Sequence, residues 1–171
     1  MMKKTAEMGL FLALALILSY VESLLPLSFG IPGVKLGLPN LIVVLLLYRG
    51  DARQAGLINF LRIMLSGFLF SNLYGIIYAL AGAVFSLTAM LLGKRTGWFS
   101  IVGVSVLGGV LHNIGQILVA MMVVETFYVG YYIPFLIVAG TVTGAVLGSV
   151  AMELVPYLRK VSLARGSDDS C

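Results

Sequence analysis

The chain has 171 residues, of which 60% are hydrophobic and only 11% are charged, and its mean hydropathy is +1.07. Soluble domains are about 45–50% apolar and about 25% charged, so this composition excludes a soluble globular fold and predicts an all-α integral membrane protein. The formal net charge of +4 does not indicate a nucleic-acid partner, because the basic residues lie at the ends of apolar runs. The only cysteine is Cys171, so no internal disulfide is expected.

Six apolar runs predict six transmembrane helices, at residues 8–27, 36–48, 55–71, 73–92, 98–123 and 131–155. The first run contains Glu22 and has Pro26 near its end in place of a small-residue cleavage site, so we expect a retained helix and not a cleaved signal peptide. The second run is short: it spans about 20 Å as a helix, against a hydrocarbon core of about 30 Å. We expect one transmembrane domain over residues 1–160 and a polar cytoplasmic tail over 161–171.

The basic residues predict the orientation of the chain. With six spans, nine of them fall on one side of the membrane: Lys3, Lys4, Arg49, Arg53, Lys94, Arg95, Arg159, Lys160 and Arg165. The other side receives Lys35 alone, while Arg62 lies within a span. Cytoplasmic loops are enriched in lysine and arginine, so both termini are predicted to lie in the cytoplasm of a multi-pass protein of the cell membrane.

The approach to the second span is rich in proline and glycine. It reads PLSFGIPGVKLGLPN from Pro26 to Asn40, and a regular helix is not expected before Leu36. Irregular backbone at membrane depth persists only where it is buried in protein or lines a cavity. Lys35 is therefore predicted to point into an outward-facing cavity near Glu22, with an ordinary external loop on lipid phosphate as the alternative.

Polar residues inside the predicted spans suggest a ligand pocket. Ionisable groups within a membrane cost several kcal/mol unless they are paired, so each one is expected to have a partner or a function. Counting helical rise places most of them in the outer half of the bundle. The predicted pocket residues are Glu22, Lys35, Asn40, His112, Asn113 and Gln116. The alternative is that these groups form hydrogen bonds between helices and hold the bundle together.

Arg62 is a seventh ligand candidate, nearer the cytoplasmic half, with a structural pairing to Glu22 or to helix-end carbonyls as the alternative. No catalytic residue is predicted. A metal site is not expected either, because His112 is the only histidine and has no cysteine or acidic partner at ligand spacing. No cofactor is implied.

Small residues recur at every fourth position in several spans, which allows helix backbones to approach closely. Gly140, Gly144 and Gly148 are expected to pack within the chain. Gly9 and Ala13 on the first helix are predicted to contact a partner helix, with internal packing as the alternative.

Four segments carry a resemblance to a known family: VESLLP (21–26), PGVKLGLPN (32–40), LRIMLSG (61–67) and HNIGQ (112–116). Together they resemble the Gx transporter family, which is also called heptaprenyl diphosphate synthase component I. The likeness extends over residues 8–156, with Pro39 as a departure where the family is expected to have a small residue. The family is similar to the substrate-binding S components of energy-coupling factor (ECF) transporters, which have six helices and cytoplasmic termini.

The resemblance implies capture of a small metabolite from outside for ATP-driven uptake. Its partners would then be a transmembrane coupling protein and ATPase subunits, besides membrane lipid. The synthase name implies instead a non-catalytic membrane component of isoprenoid or menaquinone biosynthesis. Relatives also occur with quinone- or flavin-linked extracellular electron transfer. The sequence leaves the ligand open.

Overall fold

The computed structural model describes residues 2–24, 37–49 and 51–168, and over these ranges it contains helices and no strand. In chain order the α-helices are α1 (Met2–Leu24), α2 (Asn40–Arg49), α3 (Ala52–Phe70), α4 (Leu73–Thr96), α5 (Ile101–Val124) and α6 (Ile133–Asp168). A short 3₁₀ helix, Phe127–Tyr132, joins α5 to α6.

The short second helix lies in the centre of the bundle. Its residues Ile42 to Leu47 are all buried, and it contacts α1, α3, α5 and α6. A helix that is hydrophobic all round is a helix that is buried all round, which explains the uniform apolar sequence of this segment. Its ten residues span about 15 Å, about half of a bilayer core.

The predicted second span began at Leu36, whereas α2 begins at Asn40. Gly37, Leu38 and Pro39 form a turn in which the Asn40 N–H bonds to the Gly37 carbonyl at 2.8 Å. Pro39 is fully buried and directly precedes the helix. The N–H groups of residues 40–42 bond to the carbonyls of residues 37–39, and proline itself has no N–H, so the backbone donors at the start of α2 are satisfied.

The longest helices pack through glycine. α5 makes its most extensive contacts with α4 and α6. A Cβ atom at Gly144 would lie 2.7 Å from the Val106 Cα atom, and one at Gly148 would lie 2.7 Å from the Val102 Cα atom. The predicted packing role of the α6 glycines is confirmed.

Charged residues gather where α1 starts, where α2 ends and where α4 ends. Arg49 forms an ion pair with Glu7, and the Lys94 ammonium donates to the Leu47 carbonyl at 2.5 Å. Lys94 also lies 5.3 Å from the centre of the Tyr48 ring. These contacts put the ends of three helices on one side of the bundle.

Four segments are long and apolar enough to cross a membrane: Thr5–Leu24, Leu73–Thr96, Ile101–Val124 and Phe127–Leu158. This agrees with the predicted membrane protein. α2 falls short in length, and α3 carries Arg53 and Arg62 among its 19 residues. The polar tail was predicted to begin at residue 161, whereas α6 continues through Pro156 as far as Asp168.

Candidate functional site

A small polar cavity lies among α1 to α5. Its volume is about 20 Å³, room for about one water molecule. Five of the seven predicted ligand residues line it: Glu22, Asn40, Arg62, His112 and Gln116. The structure therefore brings together polar side chains from four helices that are far apart in the sequence.

Glu22 reaches the cavity because it lies on the buried face of α1. Phe11, Ala15, Ser19 and Glu22 are spaced by four, four and three residues, and all four are buried. This spacing places them on one side of a helix. The Glu22 carboxylate accepts a hydrogen bond from the backbone N–H of Gly37. The carboxylate thereby connects α1 to the turn that precedes α2.

Arg62 supplies the positive charge at the cavity. Its side chain is only 8% exposed, and its Nη2 donates to Asn59 Oδ1 at 2.7 Å. Its Nε has no hydrogen-bond partner among the residues that the structure describes. Glu22 lines the same cavity as Arg62. Among the described residues, Arg62 is thus a buried cation with a neutral hydrogen-bond partner, a carboxylate in the same cavity and an unused donor.

The HNIGQ segment divides between two faces of α5. His112 and Gln116, four residues apart, both line the cavity. Gly82 on α4 makes room for the imidazole, since a Cβ atom there would lie 2.8 Å from His112 Nδ1. Asn113 does not line the cavity: it is buried against α6, where its Nδ2 donates to the Leu136 carbonyl at 3.0 Å.

Three other predicted residues lie away from this cavity or outside the described part. Lys35 lies outside the described residues. Gly9 and Ala13 are exposed on α1, and a Cβ atom at Gly9 would meet nothing within 4 Å. The roles of all these residues in binding stay predictions.

Sequence reasoning missed Ser66 and Ser71, which line the cavity, and Asn59, which accepts the hydrogen bond from Arg62. Asn59 precedes Arg62 by three residues, a spacing at which helical side chains are neighbours, so this signal was present in the sequence. Ser66 lies one helical turn beyond Arg62 and was detectable in the same way.

A second cavity, of about 10 Å³, lies between α2, α4, α5 and α6. Its polar lining comes from Asn40, Ser105 and Thr143. Asn40, at the start of α2, lines both cavities.

The cavity chemistry suits a polar or anionic group. It offers a guanidinium, an imidazole, two amides and a backbone N–H, with one carboxylate opposing them. Within the described ranges, no three histidine, cysteine or acidic side chains are grouped so as to hold a metal ion.

The model of one protein family matches residues 11–154, which include all of α2 to α5 and more than half of α1 and of α6. The chain belongs to the heptaprenyl diphosphate synthase component I family. Component I is a non-catalytic component of that synthase, so this member is not an enzyme by itself. The synthase component name also implies a partner subunit.

No curated protein and no solved structure matches this component I chain. The expected likeness to ECF S components therefore stays a prediction.

Proposed function

We propose that this chain is the non-catalytic membrane component of an enzyme system that makes a long prenyl diphosphate, the isoprenoid precursor of a quinone such as menaquinone. The family match over residues 11–154 carries this proposal. The four apolar helices support it, because a long prenyl chain is a membrane-soluble product and a membrane subunit lies where that product accumulates.

The distribution of aspartate supports a non-catalytic role. Prenyl transfer to a growing diphosphate needs aspartate-rich motifs that hold magnesium and diphosphate. The only aspartates here are Asp51, Asp168 and Asp169. Asp51 caps α3 by accepting the Gln54 N–H at 2.9 Å. Catalysis would reside in a separate subunit that carries those motifs.

We further propose six membrane crossings with both termini in the cytoplasm. The nine-to-one distribution of basic residues supports this orientation. The Glu7–Arg49 ion pair also supports it, because it brings the start of α1 and the end of α2 to one side, as an even number of crossings between them requires. In this arrangement α2 is a short, fully surrounded crossing and α3 carries Arg62 into the bundle.

Reconstitution tests the synthase role. The purified chain alone, given magnesium, farnesyl diphosphate and isopentenyl diphosphate, is expected to make no longer product. Adding it to the aspartate-rich prenyl diphosphate synthase of the same organism should lengthen the product or raise the rate above that of the synthase alone. A heat-denatured sample of the chain is the control. Identical product and rate with and without the chain would contradict the proposal.

The polar cavity favours a second candidate, a substrate-binding subunit for uptake that resembles an S component. Charged groups buried in a membrane bundle are functional by default, and a ligand would explain them. ATP-driven uptake would require a transmembrane coupling protein and ATPase subunits. A role in quinone- or flavin-linked electron transfer would use the same cavity for a different ligand.

The exposed face of α1 tests this second candidate. Gly9→Leu is expected to reduce co-purification of a coupling protein from native membranes, since bulk there would block close helix approach. Ser149→Leu, at an exposed position on α6, is the matched control. Equal recovery of the coupling protein with both variants would assign Gly9 to a surface that contacts only lipid.

A further inference from the structure

The cavity at Glu22 and Arg62 is too small for a metabolite in the arrangement that the structure shows. Sites for small molecules usually occupy about 300–1,000 Å³, whereas this cavity is about 20 Å³. A ligand that binds here must therefore displace something from the cavity. Of the described residues that line it, Glu22 is the only carboxylate, and it lies on the edge helix α1.

The groups around Glu22 form a site for a negative charge. The buried Arg62 side chain lines the cavity, its Nε has no hydrogen-bond partner among the described residues, and its Nη2 donates to the neutral Asn59 side chain. The Gly37 N–H donates into the same space just before α2 begins at Asn40, so the positive end of the α2 dipole faces it as well. A buried cation is stable only with a compensating anion.

We infer that Glu22 is an internal substitute for the ligand: its carboxylate fills an oxyanion site formed by Arg62 and the Gly37 N–H, and the true ligand carries a carboxylate or phosphate group that displaces it. This deepens the proposed functions, since it rests on the cavity being a ligand site. It also changes the role of Glu22, which was predicted to contact the ligand and here competes with it.

Two sources supply such an oxyanion. One is a water-soluble carboxylate or phosphate, as the uptake function requires. The other is the diphosphate headgroup of a prenyl lipid, as the synthase function requires. Both sources present negatively charged oxygen atoms to Arg62. Probes with and without a prenyl chain therefore distinguish the two sources.

The experiment removes the internal carboxylate and supplies an external one to the full chain in detergent micelles. Glu22→Ala leaves Arg62 uncompensated, so its thermal midpoint in chloride should fall below that of the wild type. Acetate, inorganic phosphate or farnesyl diphosphate, at ten times its dissociation constant and equal ionic strength, should raise that midpoint by roughly 3–6 °C. The wild type should not respond to acetate, because Glu22 already fills the site.

Two further variants decide the outcome. The double variant Glu22→Ala with Arg62→Gln should lose the response to all three anions, whereas Glu153→Ala, which removes an exposed glutamate of α6, should behave as the wild type. A response to farnesyl diphosphate alone supports the lipid source, and a response to acetate or phosphate supports the soluble one. No response to any anion, or an equal response in the double variant, overturns the inference.

If Glu22→Ala cannot be purified, Glu22→Gln provides the test, because it keeps the shape and removes the charge. Recovery of folding on adding Arg62→Gln supports an uncompensated cation, and failure to recover overturns it. The prenyl elongation assay is read separately. If the Glu22→Ala chain responds to no anion while the wild-type chain stimulates the synthase, this inference alone is refuted. If the anion response is present and the wild-type chain does not stimulate the synthase, the synthase role alone is refuted.

Discussion

Gly37 is the residue on which the geometry beside Glu22 depends. Its φ of +75° lies in the left-handed region, where a side chain costs about 1–2 kcal/mol. A Cβ atom there would also lie 3.0 Å from Nδ2 of Asn40, a residue that lines both cavities. The turn before α2 therefore requires glycine for both its backbone conformation and its neighbours.

Gly37→Ala is expected to lower the free energy of unfolding by more than Gly97→Ala, measured by thermal or denaturant unfolding in detergent. Gly97 is the matched control, because its φ of +70° carries the same strain while no atom lies within 4 Å of its added Cβ. The difference between the variants then reports the crowding of Asn40. Equal losses would show that the Asn40 side chain moves aside without cost.

Asn113 is expected to stabilise the bundle more than Gln116 does. Asn113→Ala removes a buried hydrogen bond between α5 and α6, to the Leu136 carbonyl, which costs about 0.5–1.5 kcal/mol. Gln116→Ala, at a half-buried cavity position, should cost less in unfolding and instead weaken ligand binding about two- to tenfold, corresponding to about 0.5–1.5 kcal/mol. A larger loss of stability at Gln116 than at Asn113 would contradict this division.

Helical spacing predicted part of this division from the sequence. His112 and Gln116 share a face because they are four residues apart, and both line the cavity. Asn113 follows His112 directly and so points about 100° away around the helix. Which of these faces meets α6 depends on how the helices are arranged around α5, and one sequence does not contain that information.

At the scale of the elements, α5 and α6 are joined by backbone contacts. Gly144 has no room for a side chain, because its added Cβ atom would lie 2.7 Å from Val106 Cα and 2.9 Å from the Ser105 carbonyl oxygen. Backbone atoms cannot rotate away as a side chain can. The two helices must therefore separate to accommodate any larger residue.

Gly144→Leu is expected to cost at least about 3 kcal/mol or to prevent folding, at the upper end of what overpacking costs. Gly9→Leu, the same substitution at an open position on α1, should leave the thermal midpoint near that of the wild type. The yield of monodisperse protein and its thermal midpoint in detergent provide the comparison. Comparable losses at the two positions would show that the α5–α6 contact is not the constraint.

The elements that the sequence predicted best are those with long apolar runs. The predicted fourth span began at Leu73, as α4 does, but the helix continues to Thr96, beyond the end of the apolar run. In this last turn Lys94 donates to the Leu47 carbonyl and lies over the Tyr48 ring, and these contacts stabilise the end of α4. The sequence alone does not reveal them. The start of α2 was predicted four residues early, since apolarity does not distinguish a helix from the turn formed by Gly37 to Pro39.

At the scale of the whole molecule, aromatic residues mark both ends of α5. Trp98 is 89% exposed just before the helix, and Phe127 and Tyr131 are 90% and 81% exposed just after it. The 24 residues of α5 span about 36 Å, slightly more than the hydrocarbon core. Exposed aromatic residues are enriched at membrane interfaces, so these two groups are expected to lie at opposite surfaces of the bilayer.

The proposed six crossings make a specific prediction for cysteine labelling in intact cells. The native Cys171, the only cysteine, should resist a membrane-impermeant thiol reagent added outside and react after the membrane is permeabilised. Tyr131→Cys in a Cys171→Ser background should react from outside, because with cytoplasmic termini the segment between α5 and α6 is external. The Cys171→Ser chain without any cysteine is the blank. External labelling of Cys171 would refute the orientation. The proposal places one crossing between residues 131 and 171, so the two positions should lie on opposite sides. Labelling of both from the same side would therefore contradict the six crossings.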